Sequence, residues 1–241
     1  MPCRKSLAPD LVPEGHYRRP LPAELIALSS AAGRLLFREA LLAGDMESYF
    51  PLAEQFHTQV EPSFCGISSL VMVLNALEVD PKRLWKGVWR WFSEDMADCC
   101  EQLSVIEKEG VTLDRLAEMG RCNGLLVDAR HVDLDADAGI AQFRASVRQV
   151  SEQPSGVALI ASYSRALLGQ TGDGHFSPIG GYHAARDLVL LLDVARFKYP
   201  PHWLPLELLW RAMAAQDAST GRPRGYLHVR PEQSAEAARQ S

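Results

Sequence analysis

The chain changes character near residue 150, and that change constrains its architecture more than any single residue. Before it, apolar side chains recur at helical spacing. After it, they gather in short runs bounded by Gly, Pro and Asp, which is the pattern of strands. Helices first and strands later point to an α+β fold with two lobes, a helical N-terminal lobe over about 20–150 and an antiparallel β C-terminal lobe over about 151–230. A chain of 241 residues is long enough for two such lobes around a shared cleft.

Within the first half, SAAGRLLFREALLAGDMESYF (30–50) has helical spacing, with Leu35, Leu36, Ala40 and Leu41 on one face. A second helix starts at Cys65, carries Leu70, Val71, Leu74 and Leu77 at the same period, and is stopped by Asp80-Pro81. Trp85, Trp89 and Phe92 of WKGVWRWF stand at i, i+4 and i+7, which is core spacing. Residues 112–119 read as a short helix. In the second half, GVALIASYSR (156–165) reads as a strand, and HFSPIGGYH and LVLLLDVARF form a hairpin around 184–187. A helix over 204–214 and a strand over 225–229 follow. Residues 1–16 and 231–241 read as flexible tails, leaving one domain over 17–230.

Composition removes several function classes. The net charge is −5, with Lys and Arg scattered, so there is no basic footprint for nucleic acid and no basic amphipathic helix for a membrane surface. No run approaches the roughly 18 apolar residues that span a bilayer. The N-terminal MPCRKSLAPDLVPEGHYRRPLP lacks the apolar core of a signal peptide, and the protein is read as cytoplasmic. The five cysteines, Cys3, Cys65, Cys99, Cys100 and Cys122, are odd in number and form no C-x-x-C, so free thiols are expected instead of a disulfide framework. HVDLDADAG (131–139) lacks the glycine and glutamate of an EF-hand at the sixth and twelfth positions and reads as a solvated loop.

Three residues carry chemistry. Cys65 stands at the start of a helix, where unpaired backbone N–H groups favour a thiolate, and Gly66 beside it leaves room for a substrate; taken alone, Cys65 reads first as a buried structural cysteine. His175 stands where the Gly-rich QTGDG enters a strand, with Gly174 just before it; taken alone, it is a satisfied surface or core histidine. Asp193 interrupts five apolar residues, and a buried carboxylate needs a partner. That partner is either His175 across the hairpin, or a salt bridge to Arg196 or Arg186. Together the three give the chain order Cys, His, Asp of papain-like cysteine enzymes, with the thiol on a helix N-terminus and the imidazole on the β side. Gln59, six residues before Cys65, fits a side-chain oxyanion donor.

At these residues the chain resembles a known family. QxxxxxCG at 59–66, LNALEVDP at 74–81, WKGVWRWF at 85–92, DCCE at 98–101, GHFSPIGGYH at 174–183 and LLDVARFKYPPHW at 191–203 are similar to phytochelatin synthases, over about 17–229. The resemblance implies a branch of the papain-like clan and a γ-glutamylcysteine dipeptidyl transfer on glutathione. It implies Cys65 as nucleophile, His175 as general acid and base, Asp193 as its orienter and Gln59 at the oxyanion hole. It places Arg224-Gly225 near the γ-glutamyl group, with Arg165, Gly174 and Asp217 as further substrate-binding candidates, the aspartate for the α-amino group; Arg165 and Arg224 read equally as solvated strand-end charges. No cofactor is implied for the chemistry. Cd²⁺, Zn²⁺ and other heavy metals are implied as activators, bound mainly as glutathione thiolates. Cys99, Cys100 and Cys122 match family cysteines that are candidate metal ligands. A homodimer is implied, as is a catalytic domain without the cysteine-rich C-terminal domain of the plant members. Two rivals stay open at this point: a glutathione hydrolase releasing glycine with little transfer, and a non-catalytic metal–thiol binding protein. A general endopeptidase is a third and more distant reading.

Overall fold

The computed structural model describes residues 18–97, 102–134, 138–154 and 156–232. Its centre is a seven-stranded antiparallel sheet, formed by β1 (Ile26–Ala27), β2 (Leu125–His131), β3 (Ala158–Ser164), β4 (Gly174–His183), β5 (Leu188–Leu191), β6 (His202–Pro205) and β7 (Gly225–Pro231). The strand order is β1-β6-β5-β4-β3-β7-β2. Mixed helix and antiparallel sheet is the α+β class expected. The division at residue 150 is softer than the sequence pattern suggested: β1 and β2 come from the first half, and β2 pairs along its whole length with the last strand, from Leu125 opposite Pro231 to His131 opposite Gly225.

Helices cover both faces of the sheet. The pleat divides β3 cleanly: Ala158 and Ile160 enter one core with α3 (Cys65–Ala76) and α5 (Leu113–Cys122). Leu159, Ala161 and Tyr163 enter another, with α6 (Gly139–Glu152) and α7 (Leu206–Ala214). The run LVLLL is apolar throughout because Leu188 and Leu190 face the first core while Val189 and Leu191 face the second. α3 is buried at every position except Asn75, as expected of a helix apolar on all sides.

Several local expectations are corrected. The 30–50 segment is two helices, α1 (Ala31–Ala43) and α2 (Tyr49–Glu54), because Gly44 closes α1 in the left-handed region at φ 82°. The buried face of α1 is Gly33, Leu36 and Ala40, while Leu35 and Leu41 are exposed. α3 stops at Leu77, ahead of Asp80-Pro81, with Glu78 at φ 53°. WKGVWRWF is not helical: Trp85 N–H bonds to Trp89 O at 2.8 Å and Gly87 turns at φ 56°, so the i, i+4, i+7 spacing has no helix to act on. Trp85, Trp89 and Trp91 are exposed and only Phe92 is buried. α5 and its cap Thr112, whose hydroxyl accepts from Arg115 N–H at 3.3 Å, match the short helix expected at 112–119. α7 begins at Leu206, since Leu204 belongs to β6. α4 (Leu103–Glu109), α6 and β2 are not marked by the sequence pattern; in 131–139, His131 ends β2, Asp133 and Leu134 are exposed, Gly139 begins α6, and 135–137 lie outside the described residues.

The hairpin of β4 and β5 forms as expected, turning through Ala184–Arg186 and Asp187 at φ 51°. Asp187 is held there by a two-pronged bond from Arg144 at 2.9 and 2.8 Å and by the Tyr182 hydroxyl at 2.6 Å. Where β7 pairs with β2, Gly225 has no space for a side chain, because a Cβ there would overlap the Arg130 carbonyl of β2. Gly225→Ala is therefore expected to lower unfolding stability by about 1–3 kcal/mol, read from urea denaturation, whereas Gly221→Ala serves as a control of backbone strain alone, since nothing lies within contact of its Cβ.

Candidate active site

Two pieces of backbone bring the reactive side chains together. α3 points its N-terminus, with its unpaired N–H groups, at the sheet, and Cys65 is its first residue. Gly66 does not open a path for substrate, as the sequence suggested. A Cβ there would strike Val111 and lie 3.3 Å from Phe176, so the glycine is what lets α3 seat against β4. His175, second residue of β4, lies opposite Tyr163 in the ladder, and its ring meets the Tyr163 ring edge-on at 5.7 Å between centroids.

Asp193 follows β5 and is fully buried. His175 Nε2 donates to its Oδ1 at 2.8 Å, and the backbone N–H of Ala195 donates to the same oxygen at 2.9 Å. Arg165 Nη2 reaches both carboxylate oxygens, at 2.9 and 2.8 Å. The cation beside Asp193 is thus Arg165, neither Arg186 nor Arg196. Arg165 is itself only 2% exposed, and its second arm, Nη1, donates to the Gln170 carbonyl. Both arms being engaged, the expectation of Arg165 on a substrate carboxylate is corrected: the side chain lies behind the His–Asp pair.

The electrostatics favour a charged Cys–His pair. Burial alone pushes the Cys65 thiol up, but the His175 charge and hydrogen bond, the Phe176 N–H and the Arg165 charge together bring it below its ordinary value. For His175, burial works against the cation, and the Asp193 carboxylate with the nearby thiolate outweighs it, so the imidazole is raised. Asp193 is held well below the ordinary carboxylate range: burial opposes its charge, and His175 and Arg165 overcome that. Because Nε2 of His175 is spent on Asp193, Nδ1 is the ring nitrogen left for the thiol.

Gln59 is buried before α3, tied by its backbone N–H to Val194 O at 3.1 Å. Its side-chain Nε2 donates to the carbonyls of Glu61 and Pro62 at 2.7 and 2.9 Å, and its Oε1 has no partner. Both amide hydrogens thus face the loop. Arg224 donates to Asp217 at 2.8 Å and Asp173 at 3.3 Å, and its Nε is buried without a partner. Gly174 gives its guanidinium space, since a Cβ there would overlap it. Arg224, Asp217 and Ser162, whose buried hydroxyl is also unpartnered, line one narrow pocket.

One group escaped the sequence reading. Glu94 is buried and accepts from the Val60 N–H at 3.1 Å, from Ser68 of α3 and from His57 at 3.1 Å. It therefore straps the Gln59 loop to α3 one turn from Cys65. No local pattern marks a glutamate that acts across 34 residues. Among the described residues, no group of three or more His, Cys, Asp or Glu side chains is arranged to hold a metal. Cys122 is exposed at a separate cleft of about 330 Å³ that includes Asp80 and Gly124, while Cys99 and Cys100 lie outside the described residues. No helix among the described residues is long and apolar enough to cross a membrane.

The charged pair makes a direct prediction. Carboxamidomethylation of Cys65 by iodoacetamide, followed by peptide mass spectrometry, is expected to remain fast on the acid side of the ordinary thiol titration. His175→Gln removes the opposing charge and leaves burial to dominate, so the rate at neutral pH is expected to fall by about tenfold or more.

Comparison with known proteins follows the same residues. The family model for phytochelatin synthase matches residues 16–226. The chain is 49% identical over 214 residues to glutathione gamma-glutamylcysteinyltransferase 1 of Arabidopsis thaliana, covering 88% of this chain and 43% of that protein. It is 50% identical over 216 residues to the protein of the same name from Lotus japonicus, covering 89% and 42%. It is 47% identical over 215 residues to glutathione gamma-glutamylcysteinyltransferase of Schizosaccharomyces pombe, covering 89% and 51%. The chain thus spans about half or less of the length of these relatives. With the match extending across the helical segment, the hairpin and the Cys65 and Asp193 motifs alike, the chain belongs to the phytochelatin synthase family.

Proposed function

We propose that this protein transfers γ-glutamylcysteine from glutathione to a second glutathione or to a growing phytochelatin, through a thioester on Cys65. The observation that carries the reading is the buried Cys65–His175–Asp193 constellation in a chain of this family. Cys65 thiolate attacks the carbonyl carbon of the Cys–Gly amide. His175 gives its proton to the departing glycine nitrogen, and γ-Glu-Cys remains bound to sulfur. The amine of the second peptide then attacks the thioester, His175 takes its proton, and the thiolate leaves. Asp193 keeps the imidazole oriented and supports its positive charge.

The backbone N–H groups at the start of α3 supply oxyanion donors. Gln59 joins them when one of its amide hydrogens leaves the Glu61 or Pro62 carbonyl for the reacting oxygen. Arg224 is assigned to the γ-glutamyl carboxylate and Asp217 to its α-amino group, with Gly174 at the same wall; the unpartnered Arg224 Nε and Ser162 hydroxyl leave hydrogen-bonding capacity for a polar ligand there. Heavy metals such as Cd²⁺ and Zn²⁺ enter as thiolate complexes of glutathione, serving as substrate. Cys99, Cys100 and Cys122 are the thiols we assign to any direct metal contact. The catalytic unit is taken as one papain-like, two-lobed domain over 17–230, cytoplasmic and homodimeric.

The test is product analysis by mass spectrometry with glutathione, with and without Cd²⁺. Metal-stimulated (γ-Glu-Cys)₂-Gly is expected, and Cys65→Ala is expected to abolish it. Glycine and γ-Glu-Cys alone would replace transfer by hydrolysis on the same nucleophile. Equal activity in Cys65→Ala would sink the assignment.

A further inference from the structure

From Asp193, behind the reactive pair, runs a line of buried polar groups, Arg165, Gln170 and His202, that the proposed reaction does not use. Asp193 receives Arg165 Nη2, Arg165 Nη1 goes to Gln170, Gln170 Nε2 lies 3.4 Å from His202 Nε2, and His202 Nδ1 lies 2.9 Å from the Pro200 carbonyl. Arg165, Gln170, Asp193 and His202 are all 5% exposed or less. The line joins the end of β3, the loop before β4, the segment after β5 and the start of β6.

Each link allows one direction only. A carbonyl accepts and cannot donate, so His202 carries its hydrogen on Nδ1 toward Pro200. In the neutral ring Nε2 is then a lone pair and accepts from the Gln170 amide. That turns the Gln170 carbonyl toward Arg165, whose guanidinium has donors alone. Turning the Gln170 amide over would set N–H groups against N–H groups on one side and oxygen against a lone pair on the other, both away from water. The guanidinium is gripped on its face as well, 5.1 Å from the Tyr199 ring, and its backbone N–H is tied to Asp173 O at 2.7 Å. The charged groups around His202 are Asp193, which favours its protonation, and Arg165 and His175, which oppose it together with burial; the balance keeps it neutral.

We propose that Gln170 and His202 are positioning residues that fix the orientation of Arg165, and through it hold Asp193 against His175. The proposal rests on the reading of Cys65 and His175 as the reacting pair. Its logic is geometric: an Arg165 free to rotate would release one side of the Asp193 carboxylate, and the imidazole would lose the fixed acceptor that leaves its Nδ1 toward the thiol. Neither residue need touch a substrate.

Gln170→Met keeps the side chain's length and removes both its hydrogen bonds; His202→Phe keeps the ring and removes its acceptor. Two measurements separate positioning from mere stability. The first is the pH profile of Cys65 carboxamidomethylation, which needs no substrate. The second is steady-state release of glycine from glutathione. We expect the alkylation rate at neutral pH to fall about tenfold in Gln170→Met, with kcat falling by a similar factor and KM within about twofold of wild type. His202→Phe is expected to move both readouts the same way. Gln170→Met and His202→Phe proteins that melt cooperatively yet keep the wild-type alkylation profile would overturn the proposal, as would a rise in KM at unchanged kcat. If either variant does not fold, the other decides. A wild-type Cys65 that alkylates as an ordinary thiol would overturn the reacting pair and the positioning role with it. A wild type with the expected profile but no transfer or glycine release would unseat only the proposed reaction, leaving the alkylation comparison to judge the positioning role.

Discussion

A carboxylate with no exposed surface sits at the junction of three strands, and the site is arranged around satisfying it. An ion moved from water into the interior costs several kcal/mol unless its lone pairs are met. Asp193 is met by a guanidinium from the end of β3, an imidazole from β4 and a backbone N–H two residues further along its own segment. Removing Arg165 takes away the cation that reaches both oxygens, so the register of β3 against β4 and the course of the chain after β5 are bound to the same carboxylate. The geometry that lowers the cost of burying Asp193 is also what fixes the His175 ring.

The sheet makes such burial possible. Helices on both faces exclude water from β3, β4 and β5, and the low-dielectric surroundings strengthen every charge–charge contact around Asp193. α3 is apolar on nearly every side and packs into one core with Ala158 and Ile160 of β3 and Leu227 and Val229 of β7, while its N-terminal Cys65 comes up beside β4. Gly66 sets the approach distance by yielding its side-chain space to Val111 and Phe176. Glu94 straps the preceding loop to the same helix from outside. The placement of Cys65 therefore rests on packing against Val111 and Phe176 and on the hydrogen bonds of Glu94.

What could be read from the chain alone was local. A cysteine at a helix start, a helix apolar throughout, a hairpin turning at 184–187 and a strand charge in need of a partner are all written within a few residues. The length of the family resemblance reached further, because matching runs at 59–66, 174–183 and 191–203 tie distant segments to one site. Local spacing misled where the backbone was irregular: the Trp85, Trp89 and Phe92 period assumed a helix that Gly87 turns aside. Residues 139–152 carry only Phe143, Val147 and Val150 as large buried apolar positions among polar ones, and 125–131 form an edge strand with only Leu125 buried, so neither segment announces itself locally.

The sequence by itself therefore determined the α+β class, the chain order of cysteine, histidine and aspartate, and the family. Tertiary structure decided which of several arginines meets Asp193, which way the Gln59 and Gln170 amides face, and that β2 closes the sheet against β7. The physical reason is one of range. Periodicity, caps and turns are settled between residues a turn or two apart. A buried charge chooses among partners by distances that only the finished fold creates, here across 28 residues between Arg165 and Asp193.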